Sequence, residues 1–405
     1  MTTLGPQHKS FPSRTWGLEL DDLASLGLRV SDLSTPLVTL SADALRHNTD
    51  RMARWAQESG VQLAPHGKTT MAPALWQMLL DAGAWGITVA TGWQAQVALT
   101  HHVPRVMIAN EVLDPHLLGW LASAAHAGRV VLWCDSLAGV EAAERAAAAA
   151  GGSLEVIVDL GGTEGRTGVR SVPEALTVAE AVLAAGHLRL VGSGGYEGAL
   201  AHDRGAASLA EVRTWCARLA GLHEQLLERF ETDNPILTAS GSLYFDVVGA
   251  ALAGASGTSG TASTVVLRPG AAQIHDHGHY GHLSPLAADT DPLRPAALGW
   301  ARVVSAAEPG LVVLDGGKRD FAYDLVLPDL RGRDGAPLPD LEVSALNDQH
   351  TLVRTPPGAG PAIGEVVRLG MSHPCTILDK WRLLPLIEEA GSEDPLVVGA
   401  VETWF

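Results

Sequence analysis

The stretch Val130-Val131-Leu132-Trp133-Cys134, then an alanine-rich helical segment over 141–150 closed by Gly151, then Leu154-Glu155-Val156-Ile157-Val158-Asp159-Leu160, decides the fold class. Two continuous apolar runs separated by a helix read as parallel strands joined by a crossover, because a strand covered on both faces has no polar alternation. The same unit recurs on both sides. Further apolar runs lie at 36–40, 61–64, 86–90, 105–109, 188–191, 235–239 and 265–267, and helical segments at 44–58, 72–82, 115–127, 173–185 and 209–230. Ser41 precedes the first helix as a cap, and Gly60, Gly83, Gly128, Gly151 and Gly186 follow helix ends. Eight or nine such units over roughly 240 residues predict a closed (β/α)8 TIM-type barrel over 35–275. The competing open Rossmann sheet lacks its fingerprint, since Glu197 stands where the last glycine of G-x-G-x-x-G belongs in 192–198. After about His275 short strands separated by Gly, Pro and Asp turns predict a mainly-β domain over 276–405, joined by residues 1–34.

Bulk composition narrows the function. The 405 residues are 46% hydrophobic and 18% charged, as in ordinary globular proteins. A net charge of −17 with no basic block argues against nucleic acid or anionic membrane as partner. Three cysteines make no disulfide framework and fit a reducing compartment. With no apolar leader and no run long enough to span a bilayer, a cytoplasmic location is expected.

In a (β/α)8 barrel the chemistry gathers at the C-terminal strand ends. The first such end carries Ala64-Pro65-His66-Gly67-Lys68-Thr69-Thr70. A lysine held there among small and rigid residues faces a cavity, and a partly desolvated amine serves as Schiff-base nucleophile or base. Later strand ends add Arg166, suited to an anionic oxygen, and Tyr196, a hydrogen-bond donor or proton relay. Ser240-Gly241-Ser242 and Gly270 form a small-residue nest suited to phosphate. Taken singly, Arg166 also reads as a structural ion pair, Ser240-Gly241-Ser242 as a turn and Tyr196 as packing.

Downstream, Gly364 to Leu369 reads as a strand running into Ser372-His373-Pro374-Cys375. If extended geometry continues, His373 and Cys375 point to one side, a nitrogen and sulfur pair suited to zinc with open positions. An incidental buried cysteine beside a surface histidine is the plain alternative. The run His275-Asp276-His277-Gly278-His279-Tyr280-Gly281-His282 could bind metal itself, as in a metallohydrolase, but lacks an H-E-x-x-H scaffold. It reads better as a polar loop at the mouth of the site.

Pro65-His66-Gly67-Lys68-Thr69, Asp159-Leu160-Gly161 with Arg166-Thr167-Gly168, and Ser372-His373-Pro374-Cys375-Thr376 together resemble the fold-type III pyridoxal-phosphate enzymes. Within them the chain is most similar to the D-serine dehydratase-like group, which includes D-threonine aldolase and D-threo-3-hydroxyaspartate dehydratase. The resemblance implies an alanine-racemase-like barrel with a C-terminal β domain, a homodimer, and a D-amino acid substrate. It also implies that Lys68 bonds pyridoxal 5'-phosphate, Arg166 faces its phenolic oxygen, and Tyr196 lies beside its ring. Ser240, Gly241, Ser242 and Gly270 would then cup its phosphate, and His373 and Cys375 would hold Zn2+. Dehydratases of the group resemble this His/Cys pair, whereas the aldolases tend to carry a carboxylate at the cysteine. The chain departs from the pattern at Thr70, a histidine in the eukaryotic dehydratases, and at Ala272, where an aromatic follows the Arg-Pro-Gly motif. The implied reaction is dehydration and deamination of a D-serine- or D-threonine-type substrate to a 2-oxo acid and ammonia. Retro-aldol cleavage to glycine and an aldehyde is the first alternative, and a non-catalytic pyridoxal-phosphate carrier the second.

Overall fold

A computed structural model describes residues 2–254 and 263–405. The chain begins its regular structure with strand β1 (Leu37–Ser41) and helix α1 (Ala42–Glu58). Seven βα repeats and a last strand follow: β2 (Gln62–Leu63), α2 (Pro73–Asp81), β3 (Ile87–Val89), α3 (Gly92–Thr100), β4 (Val106–Glu111), α4 (Pro115–Ala122), β5 (Val130–Cys134), α5 (Leu137–Ala150), β6 (Leu154–Asp159), α6 (Val172–Ala184), β7 (Leu188–Gly194), α7 (Ala206–Leu226), β8 (Ile236–Ala239), α8 (Phe245–Ala253) and β9 (Thr264–Leu267). Strands β2 to β9 pair in the order β2-β9-β8-β7-β6-β5-β4-β3. A parallel bridge from His66 to Thr88 joins the two ends and closes the barrel.

Local chemistry places these elements. The Ser41 hydroxyl accepts from the Ala44 amide and starts α1, and Gly151 ends α5 with φ +64, a conformation that costs other residues. Alternate strand residues fill the barrel interior, with Ala64, Met107, Val131, Trp133, Ile157, Val191 and Val266 forming one packed cluster. The opposite faces pack beneath the helices. Both faces are therefore apolar, which explains the unbroken hydrophobic runs.

One strand lies elsewhere than its sequence suggests. The run at 36–40 reads as a barrel strand, yet β1 pairs antiparallel with β10 (Ala297–Glu308) and parallel with β16 (Leu383–Glu388). All five β1 residues are buried. A central strand covered on both sides has the same pattern in either sheet, so the sequence does not distinguish them. The second sheet also contains β11 (Leu311–Leu314), β12 (Asp329–Arg331), β13 (Glu342–Leu346), β14 (Thr351–Arg354), β15 (Val366–Gly370) and β17 (Leu396–Glu402). Leu4, Phe11, Leu23, Leu28, Val30 and Leu33 pack on this sheet against Trp300, Leu383 and Val397. Among the described residues no helix is long and apolar enough to cross a membrane.

Candidate active site

After β2 the chain turns through a 3-10 element, Gly67–Thr69, that carries Lys68. The turn is tied down on three sides. Thr88 donates its amide to the Pro65 carbonyl (3.0 Å) and its hydroxyl to that of Ala64 (2.6 Å). Trp76 Nε1 donates to the Gly67 carbonyl (3.2 Å) and the Thr70 hydroxyl (3.1 Å). A Cβ at Gly67 would lie 2.6 Å from Ile87 Cγ2, and one at Gly270 would lie 2.6 Å from His66 Cβ, so glycine lets these elements close on the lysine turn. Burial lowers the Lys68 amine pKa; Cys375 opposes this, while Arg166 and Arg268 add to the lowering.

Lys68, Arg166, Tyr196, Ser240, Gly241, Ser242, Gly270, His373 and Cys375 all line one cavity at the barrel mouth. The Arg166 guanidinium lies 4.3 Å over the Tyr196 ring. Burial, then the Glu197 charge, raises the Tyr196 phenol pKa, which favours a neutral donor. The Arg166 loop is held by Gly168, φ +92, whose amide donates to Asp135 Oδ2 (3.0 Å), and by Arg170, which donates to the Arg166 carbonyl (2.9 Å). Behind it, burial pushes Asp159 to about 7 and Glu111 to about 9.

The nest differs from its reading. Ser240, with φ +85, and Gly241 donate their amides to Glu197 Oε2 (3.0 Å) and Oε1 (2.8 Å). Glu197 is fully buried, so the chain's own carboxylate takes the two donors read as phosphate ligands. Ser242 and Gly270 lie one step further on. Ser242 Oγ accepts the Ala271 amide (2.9 Å) and hydrogen-bonds Tyr280, next to Gly270. Arg268, also unread, is a buried cation in the same cavity, donating to the Gly195 carbonyl (2.7 Å) and lying 4.7 Å over Trp133. Burial lowers it to about 10, with Glu197 and Asp159 opposing.

The expected extended run through His373 is interrupted. His373 has φ +60 and opens the short helix Pro374–Leu378. The turn still brings the pair together, because the His373 and Cys375 side chains hydrogen-bond each other. The Cys375 sulfur lies 3.3 Å from the Thr69 hydroxyl, next to Lys68 in the chain. That hydrogen bond to Cys375 pushes His373 up to about 9 against the effect of burial. Burial pushes the Cys375 thiol up, but its hydrogen bonds with His373 and Thr69 and the nearby charges outweigh this and hold it low. A borderline-soft nitrogen and thiolate pair fits zinc. Three carboxylate contacts hold the pair. His373 Nδ1 lies 2.5 Å from Asp324 Oδ2, Thr376 Oγ1 donates to Asp324 Oδ1 (2.6 Å), and the His373 amide donates to Asp276 Oδ2 (2.9 Å). Asp276 Oδ1 also accepts the Tyr280 amide (2.9 Å), linking the histidine-rich loop to the site.

That loop forms no metal cluster. Burial holds His275 and His277 neutral, at about 4 and about 3, and among the described residues no group of three or more His, Cys, Asp or Glu is placed to hold a metal ion. Its contribution to the cavity is Tyr280. The roles of Glu197, Arg268, Asp276, Tyr280 and Asp324 escape sequence reading: Glu197 lies in the glycine-rich stretch, Arg268 in Arg268-Pro269-Gly270, and Asp276 and Tyr280 in the histidine-rich run, while Asp324 lies outside every motif singled out.

Comparison with known proteins agrees with this fold. Residues 40–242 match the family described as alanine racemase, N-terminal domain, and residues 296–387 a serine dehydratase domain. A D-threonine aldolase from Arthrobacter is 27% identical over 360 residues, covering 88% of this chain and 90% of that one. The crystal structure of a D-threonine aldolase from Filomicrobium marinum superposes with TM-score 0.79 at 24% identity, covering 93% of this chain and 97% of that one. A D-threo-3-hydroxyaspartate dehydratase from a Delftia species gives TM-score 0.74 at 21% identity, covering 92% and 98%. These two structures share the fold. With the alanine racemase N-terminal family spanning half of its length and Lys68 at the barrel mouth, the chain belongs to the fold-type III pyridoxal-phosphate enzymes.

Proposed function

We propose that this protein is a pyridoxal-phosphate- and zinc-dependent lyase that converts a D-3-hydroxy amino acid of the D-serine or D-threonine type to a 2-oxo acid and ammonia. One observation carries the reading: the Lys68 amine and the His373/Cys375 pair line the same cavity, joined through the 3.3 Å contact between Cys375 and Thr69. When bound at Lys68, pyridoxal phosphate supplies an electron sink for the charge left at Cα. A zinc ion on His373 and Cys375 supplies Lewis-acid stabilisation to a departing β-hydroxyl, otherwise a poor leaving group. Once the substrate amine has taken its place on the cofactor, the freed Lys68 would be the base for the Cα proton, since its lowered pKa leaves more neutral amine at working pH. Tyr196, kept neutral, donates a hydrogen bond or relays a proton, and Arg166 over its ring meets an anionic oxygen. Ser242 and Gly270, which line the same cavity, would hold the phosphate end.

The 27% identity to a D-threonine aldolase favours a second reading, retro-aldol cleavage to glycine and an aldehyde. That route must remove the hydroxyl proton instead of expelling the hydroxyl. Cys375, where the aldolases tend to carry a carboxylate, is the reason to prefer dehydration. A homodimer in the cytoplasm belongs to the same proposal, supported by free cysteines and by exposed Tyr323, Leu325, Val326 and Leu327 around Asp324.

The test is substitution. Lys68→Ala should abolish turnover and the visible absorbance of bound cofactor. Full activity in that variant would end the proposal, and colour without turnover in the unaltered protein would leave a non-catalytic carrier.

A further inference from the structure

We propose that Asp324 is the positioning residue of the metal pair, fixing the His373 imidazole with its proton on Nδ1 so that Nε2 is presented as the ligand beside Cys375. The inference rests on His373 and Cys375 binding metal, and it extends that reading to a loop 49 residues upstream.

The geometry leaves the carboxylate little choice. Asp324 Oδ2 lies 2.5 Å from His373 Nδ1, and Oδ1 takes the Thr376 hydroxyl at 2.6 Å. Both oxygens are engaged, so the carboxyl plane is fixed. Thr376 also belongs to the short helix Pro374–Leu378 that holds Cys375, which ties the orientation of one ligand to the backbone of the other. His373 itself is held at φ +60, its backbone amide donating a hydrogen bond to Asp276 Oδ2 (2.9 Å). A non-glycine residue in that region persists only where its surroundings over-determine it.

The chemistry follows from the two ring nitrogens. A metal needs a lone pair on one of them, so the proton must sit on the other. A carboxylate accepting the Nδ1 proton selects that tautomer, locks the ring plane and makes Nε2 a stronger donor. Asp324 is then a partner of the ligand and not a ligand. This agrees with the absence, among the described residues, of any group of three or more metal-ligating side chains.

The experiment is a zinc titration of the cofactor-loaded protein against a competing chelator, for the unaltered chain, Asp324→Asn and Thr376→Val. Loss of an outer carboxylate weakens metal binding by about 10–100-fold. The expected result is that loss in Asp324→Asn, with the cofactor's visible absorbance unchanged and altered ligand-field bands after cobalt(II) replaces zinc. Thr376→Val keeps the carboxylate but frees its plane, and should give a smaller loss in the same direction. It also serves if Asp324→Asn does not fold. Unaltered zinc affinity and cobalt spectrum in both variants would overturn the role of Asp324 while leaving the metal pair standing. An unaltered chain that binds no zinc would overturn both.

Discussion

Gly270→Ala probes how the barrel presents its lysine. A Cβ at position 270 would lie 2.6 Å from His66 Cβ, 2.9 Å from Thr69 Oγ1 and 3.0 Å from the His66 carbonyl oxygen. Carbon atoms pack at roughly 3.5–4.0 Å, so relief needs a displacement of about 1 Å. No rotamer supplies it, because His66 Cβ and its carbonyl are fixed to the backbone. The ends of β2 and β9 must part, and the turn between His66 and Thr69 carries Lys68 with it. Overpacking of this kind costs about 1–3 kcal/mol. A misplacement of about 1 Å at a reacting group costs on the order of 10²-fold in rate. We expect kcat/KM to fall by about 10–100-fold together with a lower melting temperature. Gly221→Ala is the matched control: in the middle of α7 its Cβ meets nothing, and the variant should gain about 0.5–1 kcal/mol with activity unchanged. Activity and melting temperature at the unaltered level in Gly270→Ala would refute the close approach.

Other predictions address charge. Asp159 is 1% exposed and titrates at about 7 when folded, above the unfolded value near 3.9, so the folded state holds an extra proton between them. Stability from this group is present below about pH 4 and lost as pH rises towards 7, on the order of 4 kcal/mol in total. Asp159→Asn should flatten the fall in melting temperature between pH 5 and pH 8, and an unchanged slope would remove Asp159 as its source. Glu197→Gln replaces one of two acceptors for the Ser240 and Gly241 amides with a donor, costing about 1–3 kcal/mol; its thermal melt and cofactor affinity should both drop. Cys375→Asp should cut dehydration sharply, and unchanged zinc content and rate would take Cys375 out of the site.

The barrel is legible in the sequence because parallel strands covered on both faces leave continuous apolar runs, and strand ends in this fold converge without any contact having to be known. Lys68, Arg166, Tyr196 and Ser242 therefore reach one cavity from widely separated positions, and Cys375 joins them from the turn after β15 of the second sheet. The same rule misplaces β1, whose five buried residues look no different in an antiparallel setting. Side-chain partnerships are not legible in this way. Nothing near Asp324 marks it as facing His373, and Glu197 attracts notice only as the residue that breaks a glycine motif. The amides of Ser240 and Gly241 have the small neighbours an anion needs, but the anion is internal. The His373/Cys375 pairing has yet another cause. Extended geometry does not persist, and a left-handed turn at His373 makes the contact instead.

The most direct measurement is the visible spectrum and product analysis of the purified protein with D-serine, D-threonine and their L-enantiomers, with chelator and after zinc is restored. We expect 2-oxo acid and ammonia from a D-substrate alone, lost with chelator and recovered with zinc. Glycine and an aldehyde from D-threonine would instead assign retro-aldol cleavage, and a colourless, inert protein would contradict the role given to Lys68.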